Sequence, residues 1–301
     1  MRKFGALLFV LCLFLAAGDT AFSMDSIYDQ EEDQDTENYN DPSLVVNRPV
    51  NIQGLTGLII TNSAYTQPAG RLAVGLSAVG ENSNKPDYSA AQGIFTATYG
   101  VTDRIEVGIK AKGLATNLGS TKTRESGIGD TDLLFKWRLS SQGETLPAFA
   151  IGLAYTIPTG DASKGLSDVK HEGIKLMLIG SAETKMSDGF VIGMYLEGQI
   201  VWNDQISRDS DNPYADKYGV LNFGLLVPVT ESRQLQAILE VNYITKKDHP
   251  TLFDMNGTAV TPGLRYVTPR WNVTAGVQFQ NRELQGATID ERYIGTVSYL
   301  F

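Results

Sequence analysis

Alternation between apolar and polar side chains dominates the sequence from Arg71 onward. In each of twelve segments one face consists of Leu, Ile, Val, Ala, Gly and aromatic residues, and the middle of that face contains no Asp, Glu, Lys or Arg. Alternation with period two is typical of β-strands. The pattern predicts strands near residues 70–80, 91–100, 103–114, 126–139, 147–158, 172–184, 189–202, 217–228, 234–245, 258–268, 270–281 and 291–301.

The apolar faces of these strands end in aromatic residues, with Trp137 near a short turn and Trp202 near a long connection. Two aromatic belts are typical of the two membrane–water interfaces, and a charge on the lipid-facing side would cost about 2–4 kcal/mol. Short turns such as 268–270 alternate with longer connections such as 203–216. This asymmetry is typical of outer-membrane barrels. The sequence therefore predicts an all-β fold, a transmembrane antiparallel β-barrel.

Parity sets the expected number of strands, because bacterial single-chain barrels have an even number. Residues 70–301 supply twelve alternating segments. The stretch "GLTGLIITNSAY" (54–65) would add a thirteenth, but the apolar run 58–60 breaks its alternation. We therefore expect a barrel of 12 strands over 70–301, with residues 54–69 forming a periplasmic or lumen-entering segment. An alternative with 14 strands would also recruit residues 44–53.

Pro262 lies in the middle of the segment 258–268, on its lipid-facing side. Proline has no backbone N–H and cannot donate to a β-ladder, so within sheets it is confined to edges, strand starts and bulges. The sequence therefore predicts a β-bulge at this position.

The N-terminus is typical of a secretory signal. Arg2 and Lys3 precede a short apolar run, and "AFS" ending at Ser23 is similar to a small-x-small cleavage site. We expect a cleaved signal peptide at 1–23, which holds the only cysteine. Residues 24–53 are predicted to form an acidic, largely disordered periplasmic segment, because their first twenty residues carry eight acidic and no basic side chains.

The densest charge cluster lies on the polar faces of the strands 103–114 and 126–139. Opposite charges across a strand pair contribute about 0.2–1 kcal/mol each. If residue numbers in each pair sum to a constant, three opposite-charge pairs result: Glu106 with Lys136, Lys110 with Asp132, and Lys112 with Asp130. We call these six residues the charge ladder. A wall-stiffening role is the favoured interpretation, and a substrate-binding role is the alternative.

The chain ends on "RYIGTVSYLF", whose alternate residues are expected to face lipid. A terminal Phe after alternating apolar residues resembles the signature that the barrel-insertion machinery reads. That machinery, together with outer-membrane lipid and lipopolysaccharide, is therefore an expected partner. The predicted insertion signal consists of Tyr293, Val297, Tyr299 and Phe301.

The stretch "SGIGDTDLLFKWRL" resembles a motif of the outer-membrane barrel family associated with meta-pathway phenol degradation. The matching residues are Gly127, Gly129, Asp130 and Lys136, and "AYTIPTGD" (154–161) is similar to the strand and loop that follow in that family. The stretch "GLTGLIITNSAYTQPAG" also resembles the opening of barrels found with exopolysaccharide secretion. The resemblance to the phenol-degradation family implies a transporter-like role in the uptake of small, often hydrophobic compounds.

We expect a passive channel for small, possibly hydrophobic or aromatic, solutes in the outer membrane of a Gram-negative cell, with the acidic N-terminal segment in the periplasm. The alternative is a structural or secretion-associated barrel with a filled lumen. Small inward residues on 147–158 favour a narrow path. The net charge of −9, without a basic stripe, argues against nucleic acid. We expect no enzyme, cofactor or metal, since His171 and His249 have no matching nucleophile.

Overall fold

The computed structural model describes residues 48–85, 87–118, 123–143, 146–161, 172–185, 191–203, 217–230, 232–245, 257–280, 283–284 and 287–301. The predicted signal peptide and residues 24–47 of the predicted acidic segment lie outside the described residues. Every regular element in the described ranges is a β-strand. None of these ranges contains a helix long and apolar enough to cross a membrane.

The strands follow one another along the chain in the order β1 (Leu72–Lys85), β2 (Asp87–Thr102), β3 (Ile105–Leu118), β4 (Thr123–Ser140), β5 (Ala148–Ile157), β6 (Gly173–Lys185), β7 (Val191–Asn203), β8 (Lys217–Pro228), β9 (Leu235–Ile244), β10 (Gly257–Val267), β11 (Trp271–Gln280), β12 (Glu283–Leu284) and β13 (Ala287–Leu300).

Neighbouring strands pair antiparallel, and the sheet closes on itself. β1 through β11 pair in sequence order, β13 pairs with β11, and β13 also pairs with β1. The two-residue β12 pairs only with β13, at the tip of the last hairpin. The wall therefore has twelve strands, and closure removes the unpaired edges that an open sheet would expose. This confirms the predicted all-β barrel of twelve strands.

The first four strands extend farther than predicted. The β1–β2 hairpin stays paired as far as Asn84 with Asp87, and the β3–β4 hairpin as far as Leu118 with Thr123. The predicted strand ends near residues 80, 91, 114 and 126 were therefore wrong, because pairing continues beyond each of them. Apolar alternation reports only the part of a strand with one apolar face, whereas backbone pairing continues into polar sequence.

The two faces of the wall differ as the alternation predicted. Outward side chains such as Leu76 and Leu178 are 64% and 61% exposed. Inward positions hold polar and charged side chains, many of them buried, and Lys136 is 0% exposed. An apolar exterior around a polar interior is the reverse of a water-soluble protein and is typical of a barrel surrounded by lipid.

Pro262 interrupts the ladder without forming a bulge. On the β10–β11 side, Val260 pairs with Phe279 above the proline and Gly263 with Gly276 below it, in one unbroken register. The two positions between these pairs form no ladder pairs with β11. The predicted bulge is therefore wrong. Proline removes a donor but adds no residue, so the register survives while two rungs are lost.

Residues 48–67 lie inside the barrel, and we call them the plug. Except for Arg48, Gln53 and Ile60, all of them are buried. The plug folds on itself through two isolated bridges, Val50 with Thr56 and Gly57 with Asn62. It lies towards the end of the barrel where β1 begins, which we call the short-turn end. The opposite end, where β1 ends and β2 begins, is called the long-loop end.

Candidate functional site: the lumen and its plug

Three inward carboxylates hold backbone N–H groups of the plug. Glu106 accepts the Thr56 N–H at 3.0 Å, the Thr56 hydroxyl at 2.6 Å and the Gln67 N–H at 2.8 Å. Glu240 accepts the N–H groups of Ile60 and Thr61, the latter at 2.7 Å. Charge-assisted hydrogen bonds of this kind are stronger than neutral ones. Because the carboxylates lie on β3 and β9, the plug is held from well-separated strands.

The third carboxylate, Glu197 on β7, binds both the backbone and the side chain of one plug residue. It accepts the Asn62 N–H at 3.0 Å and the Asn62 side-chain amide at 2.6 Å. Asn222 on the neighbouring strand β8 also donates to it, at 2.9 Å. Glu197 is fully buried, and these donors satisfy a charge that would otherwise be costly to bury.

Two inward cations bind carbonyl groups of the plug. Lys136 donates to the carbonyl oxygens of Ser63 at 3.0 Å and Tyr65 at 2.6 Å, and it forms an ion pair with Glu106 at 2.7 Å. Arg265 donates to the carbonyl oxygen of Gly57 at 3.0 Å. Since both cations are buried, the plug carbonyls replace the water that each charge would otherwise bind.

The apolar side chains of the plug fit positions where the wall has glycine. A Cβ at Gly263 would lie 2.4 Å from Ile59 Cδ1, and one at Gly276 would lie 2.8 Å from the same atom. Gly54 has a φ of 89° and its carbonyl oxygen accepts the Thr98 hydroxyl at 2.8 Å. Such a φ favours glycine, because a Cβ is strained there. Plug and wall are thus matched in shape as well as in polarity.

Two of the three predicted pairs of the charge ladder lie opposite each other at the predicted register. Glu106 lies opposite Lys136, and Lys110 lies opposite Asp132 with an ion pair of 2.8 Å. A register shift between Ala111 and Gly113 removes the third pair from the ladder register, so Lys112 and Asp130 fall at the irregularity. The pair nearer the short-turn end, Glu106 with Lys136, binds the plug directly.

The residues that carry the family resemblance lie at this irregularity and bind the loop after β5. The carbonyl oxygen of Gly129 accepts the Thr159 hydroxyl at 2.7 Å, and Asp130 accepts the Gly160 N–H at 3.2 Å. Gly127 lies opposite Leu114 in the register of β3 and β4. The two stretches quoted for the resemblance are therefore in contact with each other, whereas Lys136 lies deeper, at the plug.

The residues of the predicted insertion signal lie on the outer face of β13. Tyr293, Val297 and Phe301 are exposed, and Tyr299 is half-buried. The ring centroid of Tyr299 lies 4.7 Å from that of Phe301 and 4.6 Å from that of Trp271, both in edge-to-face geometry. These aromatic rings form one cluster at the short-turn end, the position of an interfacial belt.

Glu197, Glu240 and Arg265 are part of the plug site but were not among the site residues predicted from the sequence. Their partners in the plug are separated from them by 135, 179 and 208 positions. In the sequence, each of these three residues is the one charged residue at the inward positions of its strand. This isolated charge was the signal that could have identified them. The small inward residues of β5, predicted to leave a narrow path, are instead mostly buried, with Ala148 and Ala150 at 0% exposed.

A groove lies on the outer face of the wall. Its volume is about 1480 Å³, and its floor is a row of small outward residues joined by register across β3, β2, β1, β13 and β11. The row consists of Gly113, Gly93, Ala78, Gly295 and Ala275. The larger side chains of Leu264, Phe279 and Tyr293 form part of the lining, and Pro262 lies in it as well. We call this surface the outer groove.

Reversing Asp132 to Lys is expected to lower stability, because it places two ammonium groups opposite each other in a partly buried pair. The double reversal Lys110→Asp with Asp132→Lys is expected to recover most of the loss, since contacting residues couple by about 0.5–3 kcal/mol. The thermal midpoint of the folded band on a denaturing gel measures both effects. A double variant no more stable than the single one would mean that this pair does not stabilise the wall.

Searches among family models and among curated proteins find no match. Solved structures do match. An outer-membrane channel from Pseudomonas putida F1 is 13% identical, with 79% of this chain and 98% of that chain covered and a TM-score of 0.59. The NanC porin is 10% identical, with coverage of 76% and 98% and a TM-score of 0.53. At these identities the similarity shows the fold alone, the closed antiparallel barrel described above.

Proposed function

We propose that this protein is an outer-membrane barrel that lets small apolar or aromatic solutes pass without energy coupling or catalysis. The short-turn end faces the periplasm in this proposal, as in other outer-membrane barrels. The apolar exterior and the aromatic cluster of β13 support the membrane location. The similarity in fold to an outer-membrane channel supports the passive role. The association with phenol degradation remains a prediction from resemblance.

The observation that carries the proposal is the position of the outer groove beside the interrupted ladder. Pro262 lines the groove, and it lies where β10 and β11 lose two rungs. Directly inside this part of the wall, Gly263 and Gly276 leave space that Ile59 of the plug fills. An apolar solute in the outer membrane would therefore meet a weakly bonded stretch of wall with Ile59 of the plug directly behind it. Passage through the wall avoids the plugged short-turn end.

A disulfide across the interruption tests this route. With Thr261→Cys and Gln278→Cys, which lie opposite each other at the lost rungs and leave Pro262 in place, oxidation is expected to close the wall. Uptake of a radiolabelled aromatic hydrocarbon is then expected to fall to that of cells lacking the protein. Reduction is expected to restore it. The matched control is the pair Leu264→Cys and Ala275→Cys, which lies on the same strands where the ladder is intact. Uptake that is equal in the oxidised and reduced forms of the first variant would contradict passage through the wall.

The alternative, a structural or secretion-associated barrel with a filled lumen, is favoured by one observation. Beyond the plug, inward residues of the central wall such as Asn222 and Gln278 are also buried. If neither the native protein nor a variant without the plug carries any solute, the structural role is the better description.

A further inference from the structure

Solvent reaches the lumen on the long-loop side of the plug, above two of its residues. Gln53 and Ile60 are half-buried, whereas the residues between them are buried. Inward side chains from β3, β5 and β6 that surround this space are half-buried as well. We call this space the upper chamber, with Gln53 and Ile60 as its floor and with Lys110, Lys112, Thr156 and Lys175 in its wall.

Among the described residues, three ammonium groups lie in the wall of the upper chamber. Lys110, Lys112 and Lys175 all act electrostatically on Asp132, which is paired with Lys110. Two other carboxylates of the described wall are already bound. Asp130 is buried and accepts the Gly160 N–H, and Glu197, which acts on Lys175, accepts donors from Asn62 and Asn222 on its two oxygens.

Lys175 forms few hydrogen bonds for a cation that is half-buried. Its one hydrogen bond among the described residues is to the neutral side-chain oxygen of Gln53, at 3.3 Å. An ammonium group has three donors, and charge-assisted bonds to carboxylates are the strongest that it forms. The Lys175 ammonium can therefore donate to a stronger acceptor than the Gln53 side chain.

A second donor independently indicates a missing acceptor. The side-chain nitrogen of Gln199 is buried and has no hydrogen-bond partner among the described residues, and the residue is 5% exposed. On β7, Gln199 pairs with Met177, so it lies diagonally across from Lys175 on β6. A buried donor without an acceptor costs about 1–3 kcal/mol. An acceptor placed at this wall would therefore satisfy both donors.

We propose that the upper chamber binds the carboxylate group of a small aromatic or apolar acid. Lys175 and Gln199 bind the carboxylate, and Ile60 provides an apolar surface for the body of the acid. The carboxylate uses donors of Lys175 that its single bond to Gln53 leaves available. The interpretation of the upper chamber as a site for a transported substrate rests on the proposed function. The binding of a carboxylate there does not depend on it.

Isothermal titration calorimetry of the full chain refolded in detergent tests the site, with benzoate and neutral benzamide as probes. Benzoate is expected to bind at least about tenfold more tightly than benzamide, because only benzoate satisfies the ammonium group. Lys175→Met is expected to remove this preference, and Gln199→Leu to weaken benzoate binding several-fold. Equal binding of the two probes, or an unchanged benzoate affinity in Lys175→Met, would overturn the proposal.

Arg292→Met is the matched control, because it removes an inner-wall cation that is paired with Glu81 on the opposite side of the barrel. Its benzoate affinity is expected to equal that of the native protein. An equal loss in Arg292→Met and Lys175→Met would assign the effect to the general charge of the lumen and reject the site. The heat-dependent gel shift verifies that each variant is folded, and Lys175→Arg, which keeps the charge, is expected to retain the preference. Binding without any uptake would reject the proposed function and leave the site standing.

Discussion

Deletion of residues 54–65 is expected to raise single-channel conductance about tenfold or more, because a twelve-strand wall encloses more space than its own side chains fill. These residues fill the lumen towards the short-turn end and include Leu55 and Ile59, which are almost fully buried. Removing them exposes Glu106, Glu240 and Arg265 to water. Charges that now bind the plug would then line a hydrated path, and recordings on planar bilayers measure the change.

Replacement of the same twelve residues by Gly and Ser, with the length of the chain unchanged, is the control for the deletion. A flexible polar segment cannot make the apolar contacts of Leu58 and Ile59 with the wall, so the conductance is expected to rise in this variant too. The wall pairs through its own backbone groups, and both variants are expected to keep the heat-dependent gel shift. Folded variants with native conductance would show that the plug is not the barrier.

The alternation in the sequence was sufficient to predict the twelve-strand wall, because each wall strand has one face in an apolar and one in a polar environment. It could not predict where β1 to β4 end, since beyond the apolar zone both faces are polar. The bulge predicted at Pro262 from its missing backbone N–H was wrong as well. A missing backbone donor can be accommodated by an added residue or by lost rungs, and only the neighbouring strand decides between them.

The plug site was harder to predict than the wall. Glu240 and Arg265 lie on different strands, and each meets its plug partner through folding alone. A charge pair on two adjacent strands, such as Glu106 with Lys136, follows from register arithmetic. The plug residues that this pair binds do not follow, because Thr56 and Tyr65 belong to a segment outside the wall strands, whose register with the wall cannot be read from the sequence. Sequence therefore predicted the pairing of these charges but not their contacts with the plug.

Lys136→Met is expected to destabilise the folded protein by about 3–5 kcal/mol, because it leaves Glu106 as a buried charge without its counter-ion. Both side chains are fully buried, and the lysine also donates to carbonyl oxygens of Ser63 and Tyr65. Unfolding by urea in lipid vesicles, followed by tryptophan fluorescence, measures the change. The plug is expected to become susceptible to protease before the wall unfolds, because the wall keeps its own backbone pairing.

Lys110→Met separates the effect of burial from that of charge. Lys110 belongs to the same charge ladder and pairs with Asp132 at 2.8 Å, but water reaches both side chains, which are 13% and 11% exposed. Its loss is expected to cost about 1–2 kcal/mol and to leave the plug protected. The double variant Glu106→Gln with Lys136→Met removes both buried charges and is expected to be more stable than Lys136→Met alone. If the double variant were the less stable of the two, the destabilisation by Lys136→Met would come from lost plug contacts rather than from an unpaired carboxylate. Glu106 would then stabilise the plug mainly by accepting from Thr56 and Gln67.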